Sequence, residues 1–285
     1  LVLPLGVWGA DAPVSSLGPT QAPPVKVTVS GGYGGDADLA GGGHIARWES
    51  AWDVEIPVNP TPRTGGRFSA GWGLTELDVR DLPGESVDAL HTLSVGYFGV
   101  APVKGDWSAF YRGGAMMVFE EGAAGADAWL YQGMAGLDRR VGPTLSLQAG
   151  LLGTTLLEED PRVLPLLGFR WRPAPGWSVA TEGLGIQVRG PLRPGAQFWV
   201  RSRWGSRAWR TDGDGAGSSG GVLVHEALRS EAGVSWEFHR RFQVEVRAGW
   251  ETEASYRRMD DRGFDLGRRE VDPAPIGGLA LTGRF

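Results

Sequence analysis

Apolar and polar residues alternate with a period of two through much of this chain. Between His44 and Val58, the residues Ala46, Trp48, Trp52, Val54 and Ile56 fall on one face, and Arg47, Glu49, Asp53 and Glu55 on the other. Successive side chains of an extended strand point to opposite faces, so this segment is predicted to be a strand with one apolar and one polar side. The same alternation recurs in Arg67–Thr75, Leu145–Leu151, Leu167–Arg172, Gln197–Trp204, Glu231–His239 and Phe242–Glu251. Residues 89–101, 107–119 and 128–139 are richer in glycine and read as strands without a clear facing. Residues 177–190 read as two short strands folded at Gly183–Gly185.

A half-buried strand of a soluble protein alternates in the same way. Strand length and tryptophan placement separate the two cases. Trp48, Trp52, Trp72, Trp171, Trp204, Trp236 and Trp250 lie on the apolar faces, several near a strand end. A membrane-spanning barrel carries such aromatic girdles at its two interfaces. Short turns are expected at 102–106, 139–143, 173–176, 190–195 and 239–242. Longer loops are expected at 34–43, 81–88, 157–162, 211–221 and 258–274. The expected fold class is all-β, an antiparallel up-and-down transmembrane β-barrel of about fourteen strands, with twelve as the alternative.

Composition sharpens this picture. The chain has 285 residues, 41% of them hydrophobic, with 46 glycines and 13 tryptophans. It contains no apolar run of 18 or more residues, so only a barrel would let it cross a membrane. It has no cysteine, hence no thiol chemistry. A net charge of −5 gives no reason to expect nucleic acid. Residues 1–12, an apolar run followed by Ala10-Asp11-Ala12, are expected to be the remnant of a secretory signal. Residues 13–24 are rich in Pro and Ser and are expected to form a flexible periplasmic segment, leaving 25–285 as the barrel.

Candidate chemistry is sparse. None of His44, His91, His225 and His239 is spaced from another as metal ligands are, no nucleophile elbow occurs, and the glycine clusters open no helix. No enzyme activity, metal or cofactor is therefore expected. Glu158-Glu159-Asp160 and Asp260-Asp261 read as solvated loop charge, with a divalent-ion or lipopolysaccharide-bridging site as the sharper alternative. The one constellation lies on the polar faces. Arg170, Arg172, Arg201, Arg203, Arg207, Arg229 and Arg247 are expected to face the lumen with Glu49, Asp53, Glu55, Glu231, Glu237, Glu245 and Glu251. In a wide pore such charges bias ion selectivity, and in a narrow one they pair and fill it. The mixed signs favour pairing.

The last strand alternates Leu279, Leu281 and Gly283 and reaches Phe285. A terminal Phe of this kind is similar to the signal read by the barrel-assembly machinery. Leu164–Pro173, Trp177, Gly233–Glu237, Val246–Trp250 and the pair Arg257-Arg258 together resemble an uncharacterised family of bacterial outer-membrane β-barrels, known only as a domain of unknown function. The likeness runs, more weakly, from about His91 to Arg258, and it departs at Trp250, where Tyr or Phe is expected. The resemblance implies a barrel in the bacterial outer membrane, with lipid and lipopolysaccharide around it, and supplies no catalytic residues. The expected functions are a narrow pore for small polar solutes or, alternatively, a closed structural or adhesion barrel whose outer loops bind a partner.

Overall fold

The computed structural model describes residues 24–58, 65–80, 87, 89–123, 126–212 and 220–285. Its strands are β1 (Lys26–Asp38), β2 (His44–Val58), β3 (Gly65–Arg80), β4 (Leu90–Lys104), β5 (Trp107–Glu120), β6 (Trp129–Val141), β7 (Leu145–Leu156) and β8 (Glu159–Trp171). They continue as β9 (Ser178–Thr181), β10 (Gly185–Arg193), β11 (Ala196–Arg210), β12 (Val222–His239), β13 (Phe242–Met259), β14 (Asp265–Val271) and β15 (Ala274–Arg284). Among the described residues a single 3-10 turn, Ala126–Ala128, precedes β6. The signal remnant and nearly all of the 13–24 segment lie outside the described residues.

Apart from β14 and β15, each strand pairs antiparallel with its neighbours in sequence, and β15 pairs with both β13 and β1, so the sheet closes. β14 and β15 are one wall position in two pieces. β13 pairs with β15 from Phe242 to Glu251 and with β14 from Ala254 to Met259. The change of partner coincides with a bulge, where Glu253 adopts φ 51° and the pairing to β12 slips. A bulge bends its strand and increases its twist, and Pro273, which has no N–H, marks the matching break on the other side. Counted this way the barrel has fourteen strands.

The short turns 105–106, 142–144, 172–177, 194–195 and 240–241 share one end with Lys26 and Arg284. By the habit of such barrels this end is periplasmic. Three loops expected to be long are shorter. β1 continues to Asp38, so residues 34–38 belong to the wall. The 157–162 loop is a two-residue turn at Leu157 and Glu158, with β8 starting at Glu159. The 258–274 segment contains β14. In each case polar or glycine-rich residues that read as loop stand in strands projecting toward the outer end. There the strand no longer needs an apolar outward face. The 81–88 loop lies almost entirely outside the described residues.

The interior changes character along the axis. At the outer end an apolar core joins Leu90, Val118, Leu130, Leu157, Trp209, Val222 and Met259, from seven different parts of the wall. A smaller cluster of Ala37, Leu39, Ile45 and Ala274 lies beside it. β11 reaches across to β5, pairing in parallel at Arg210 and Phe119. This contact pinches the outer mouth over the core.

Candidate functional site

The polar site lies immediately below that core. Arg47 of β2 donates two hydrogen bonds to Glu251 of β13, at 3.1 and 2.9 Å. Arg229 of β12 donates to the same carboxylate at 2.7 Å, and His225 Nε2 lies 3.0 Å from it. Glu49 of β2 is the second hub. It takes Arg207 of β11 at 2.8 Å, Arg229 at 3.3 Å and Arg47 at 2.8 Å. β2 neighbours only β1 and β3, and β11 neighbours β10 and β12 along the wall. The Arg207–Glu49 bond therefore spans the interior. His225 also stacks on Tyr256, with ring centroids 4.6 Å apart.

A second cluster lies nearer the periplasm. Arg201 bridges Glu182 and Glu231, at 3.5 and 2.7 Å, and Arg247 reaches Glu231 at 3.5 Å. Glu55 takes Lys26 and Arg67 at 3.4 and 3.1 Å. Ser235 donates to Glu245 at 2.9 Å, and Glu237 pairs with Arg284 at the periplasmic rim. Between the clusters is a cavity of about 130 Å³ whose lining includes Glu49, Asp53, Arg203, Arg207, Arg229 and Glu231. Each of these positions alternates inward along its strand, and a buried charge left without a partner is far costlier than a paired one.

Of the residues expected to face the lumen, Arg172 departs most. It lies past the end of β8, exposed in the turn that follows. Arg170 remains inside β8. Arg203 makes no ion pair or side-chain hydrogen bond among the described residues. Trp48, Trp52, Trp171, Trp236 and Trp250 are exposed on the outer wall, while Trp72 and Trp204 are half-buried, Trp72 lying 6.2 Å from the His91 ring. The acidic run at 158–160 is engaged by arginines. Glu158 pairs with Arg210, and Glu159 with Arg162 and Arg257.

Sequence reasoning missed the inward Trp199 and Trp209, the role of Glu182, and the apolar core. One signal for the core was present. Val222-Leu223-Val224 is a continuous apolar run where alternation stops, which marks a strand buried on both faces.

No family model and no curated protein matches the chain. Solved structures do. An outer membrane channel from Pseudomonas putida F1 superposes with a TM-score of 0.53 at 8% identity, over 94% of this chain and 97% of that one. The NanC porin gives a TM-score of 0.43 at 9% identity, over 91% of this chain and 100% of that one. The translocator domain of the autotransporter NalP from Neisseria meningitidis gives 0.37 at 13% identity, over 93% and 90%. At 8% identity the likeness to the Pseudomonas putida channel shows the fold alone. The protein belongs to the class of closed antiparallel β-barrels of the bacterial outer membrane.

Proposed function

We propose that the protein is a channel-class outer-membrane barrel whose axial path is shut from the outer side in its resting state. The observation that carries this reading is the Arg207–Glu49 bond across the lumen, with Arg47 and Glu251 beside it and the apolar core above. Ions moving along the axis would have to break a buried charge network and then cross a dry layer of packed side chains. This arrangement favours the closed barrel over an open pore for small polar solutes. Lipid and lipopolysaccharide around the wall and recognition of Phe285 by the assembly machinery belong to the same proposal. Phe285 packs edge-on against Phe242 at 6.1 Å. Membership of the uncharacterised barrel family rests on the Leu164–Pro173 and Val246–Trp250 segments.

The test is single-channel recording of the refolded, heat-modifiable protein in a planar bilayer. Silence across salts is expected, and steady discrete steps in the unaltered protein would overturn the closed reading in favour of the polar pore.

A further inference from the structure

The barrel wall has a gap. β9 has four residues and pairs with β8 at only two positions, Arg170 with Ala180 and Trp171 with Val179. The β9–β10 hairpin turns back at Glu182–Leu184, and Gly185 opens β10 opposite Arg203. Among the described residues, β8 above this level pairs only with β7, and β11 only with β12 until its tip touches β5. Among the described residues two strands are missing from the wall there, and at about 4.8 Å per strand the opening is wide enough for an alkyl chain. The opening has a sill, where the Trp204 amide donates to the Leu184 carbonyl at 3.3 Å. It has a lintel, the Arg210–Glu158 ion pair.

The sequence of β8 fits a free edge. The Phe169 amide points toward β9, donating to Thr181 Oγ1 at 3.0 Å. By alternation the amides of residues 167, 165, 163 and 161 would point the same way. Positions 161 and 165 are both proline. A proline on an unpaired edge removes a donor that would otherwise face hydrocarbon unsatisfied. Val163 and Leu167 on this stretch are 68% and 81% exposed.

The chemistry behind the opening is amphipathic. Leu164 and Leu166 face inward and are half-buried. Among the described residues a Cβ on Gly205 would meet nothing within 4 Å, so there is room beside β11 at this level. At the sill stands Arg203, without an ion pair or side-chain hydrogen bond among the described residues. It lies directly opposite a second cation, Arg229, across the β11–β12 pair, and both line the cavity. Like charges directly opposite destabilise a sheet. Its acidic neighbours Glu182 and Glu231 are already held by Arg201. An anion at this point would relieve the repulsion.

We propose that the gap between β8 and β11 is a lateral portal for a single-chain amphipathic anion, its alkyl chain between Leu164, Leu166 and Trp204 and its carboxylate on Arg203. This rests on the closed-axis reading, since a barrel shut along its axis needs another route between wall and cavity.

The test uses the full chain refolded in phosphatidylcholine vesicles and a diazirine-bearing dodecanoate, with labelled peptides mapped by mass spectrometry. Labelling is expected on Leu164–Leu167 and on Trp204–Gly205. Loss of a hydrogen bond to a charged group should cut labelling about tenfold in Arg203→Gln, and as much for a dodecanol probe. Gly205→Phe fills this space and should abolish labelling while heat-modifiability persists. Absence of label from these peptides in a heat-modifiable barrel overturns the portal. Equal labelling by the alcohol overturns the anionic head group, and full competition by butyrate reduces the site to one for small anions. Conductance by the unaltered protein would overturn the closed axis without touching these outcomes.

Discussion

Glu251 is held by Arg47, Arg229 and His225 at once, in a part of the interior with almost no access to water. Desolvating this many charges is expensive, and their mutual attraction repays it only while the set is complete. Glu251→Ala leaves Arg47 and Arg229 to share with Arg207 the single carboxylate of Glu49, three cations on one anion. The expected loss is about 3–5 kcal/mol, read from the urea midpoint of heat-modifiable migration in vesicles. Glu237→Ala is the control. Glu237 is exposed at the periplasmic rim, where its partner Arg284 is only half-buried, so its loss should shift the midpoint by less than about 1 kcal/mol. A comparable shift for both would show that the interior network carries no special weight. Glycine acts at the same scale where strands approach closely. Gly136 and Gly150 stand opposite each other, and a Cβ on Gly136 would run into both the Ala149 carbonyl oxygen and the Phe110 ring. Gly136→Val should therefore lower the folded yield sharply, whereas Gly113→Val, with open space around its Cβ, should leave it unchanged. Equal yields from the two variants would show that the close approach at Gly136 is not needed.

At the scale of single elements, the β8 edge makes a prediction of its own. Amides pointing to β7 are hydrogen-bonded along the whole strand, while those of Val163 and Leu167 face the gap. In hydrogen exchange these two amides should exchange fast and those of Leu164 and Gly168 slowly. Uniform protection along β8 would mean that the gap is filled by another strand or by neighbouring chain. The elements also show what could be read beforehand. β2, β7 and β13 were legible because one face meets lipid and the other polar interior, so the period of two is written along their length. β9 and β10 were legible through Gly183–Gly185. Their shortness relative to β8 and β11 was not, because strand height in a barrel depends on register around the whole wall. The outer halves of β12 and β13 were harder for a different reason. Val222-Leu223-Val224 and Met259 are packed inside a pinched mouth, and nothing in local periodicity says which strands bend over the lumen. Similarly, the arginines and glutamates of the interior were identifiable one by one. That Glu49 and Glu251 would be the hubs follows only from closure, which brings β2, β11, β12 and β13 around one axis.

For the whole molecule, the closed reading proposed above puts two stoppers in series, and that fixes how variants should combine. On that reading the charge network of Arg207 and Glu49 would block the axis with ions that hold each other, and the layer containing Trp209, 2% exposed, would block it with packed apolar side chains. Opening one layer leaves the other intact, so neither Arg207→Ala with Glu49→Ala nor Trp209→Ala alone should give conductance. The three substitutions together should give discrete steps, a coupling that separate effects cannot produce by addition. Trp209→Ala on its own should still be costly, about 3–5 kcal/mol for an emptied aromatic site. The triple variant is therefore to be recorded only after heat-modifiability shows a folded barrel. Steps from the Arg207 and Glu49 variant by itself would mean that the apolar layer does not seal, and the closed state would then rest on charge pairing alone. Silence from a folded triple variant would mean that the stopper extends further, into the second cluster around Ile45 and Ala274 and the parallel contact between β5 and β11.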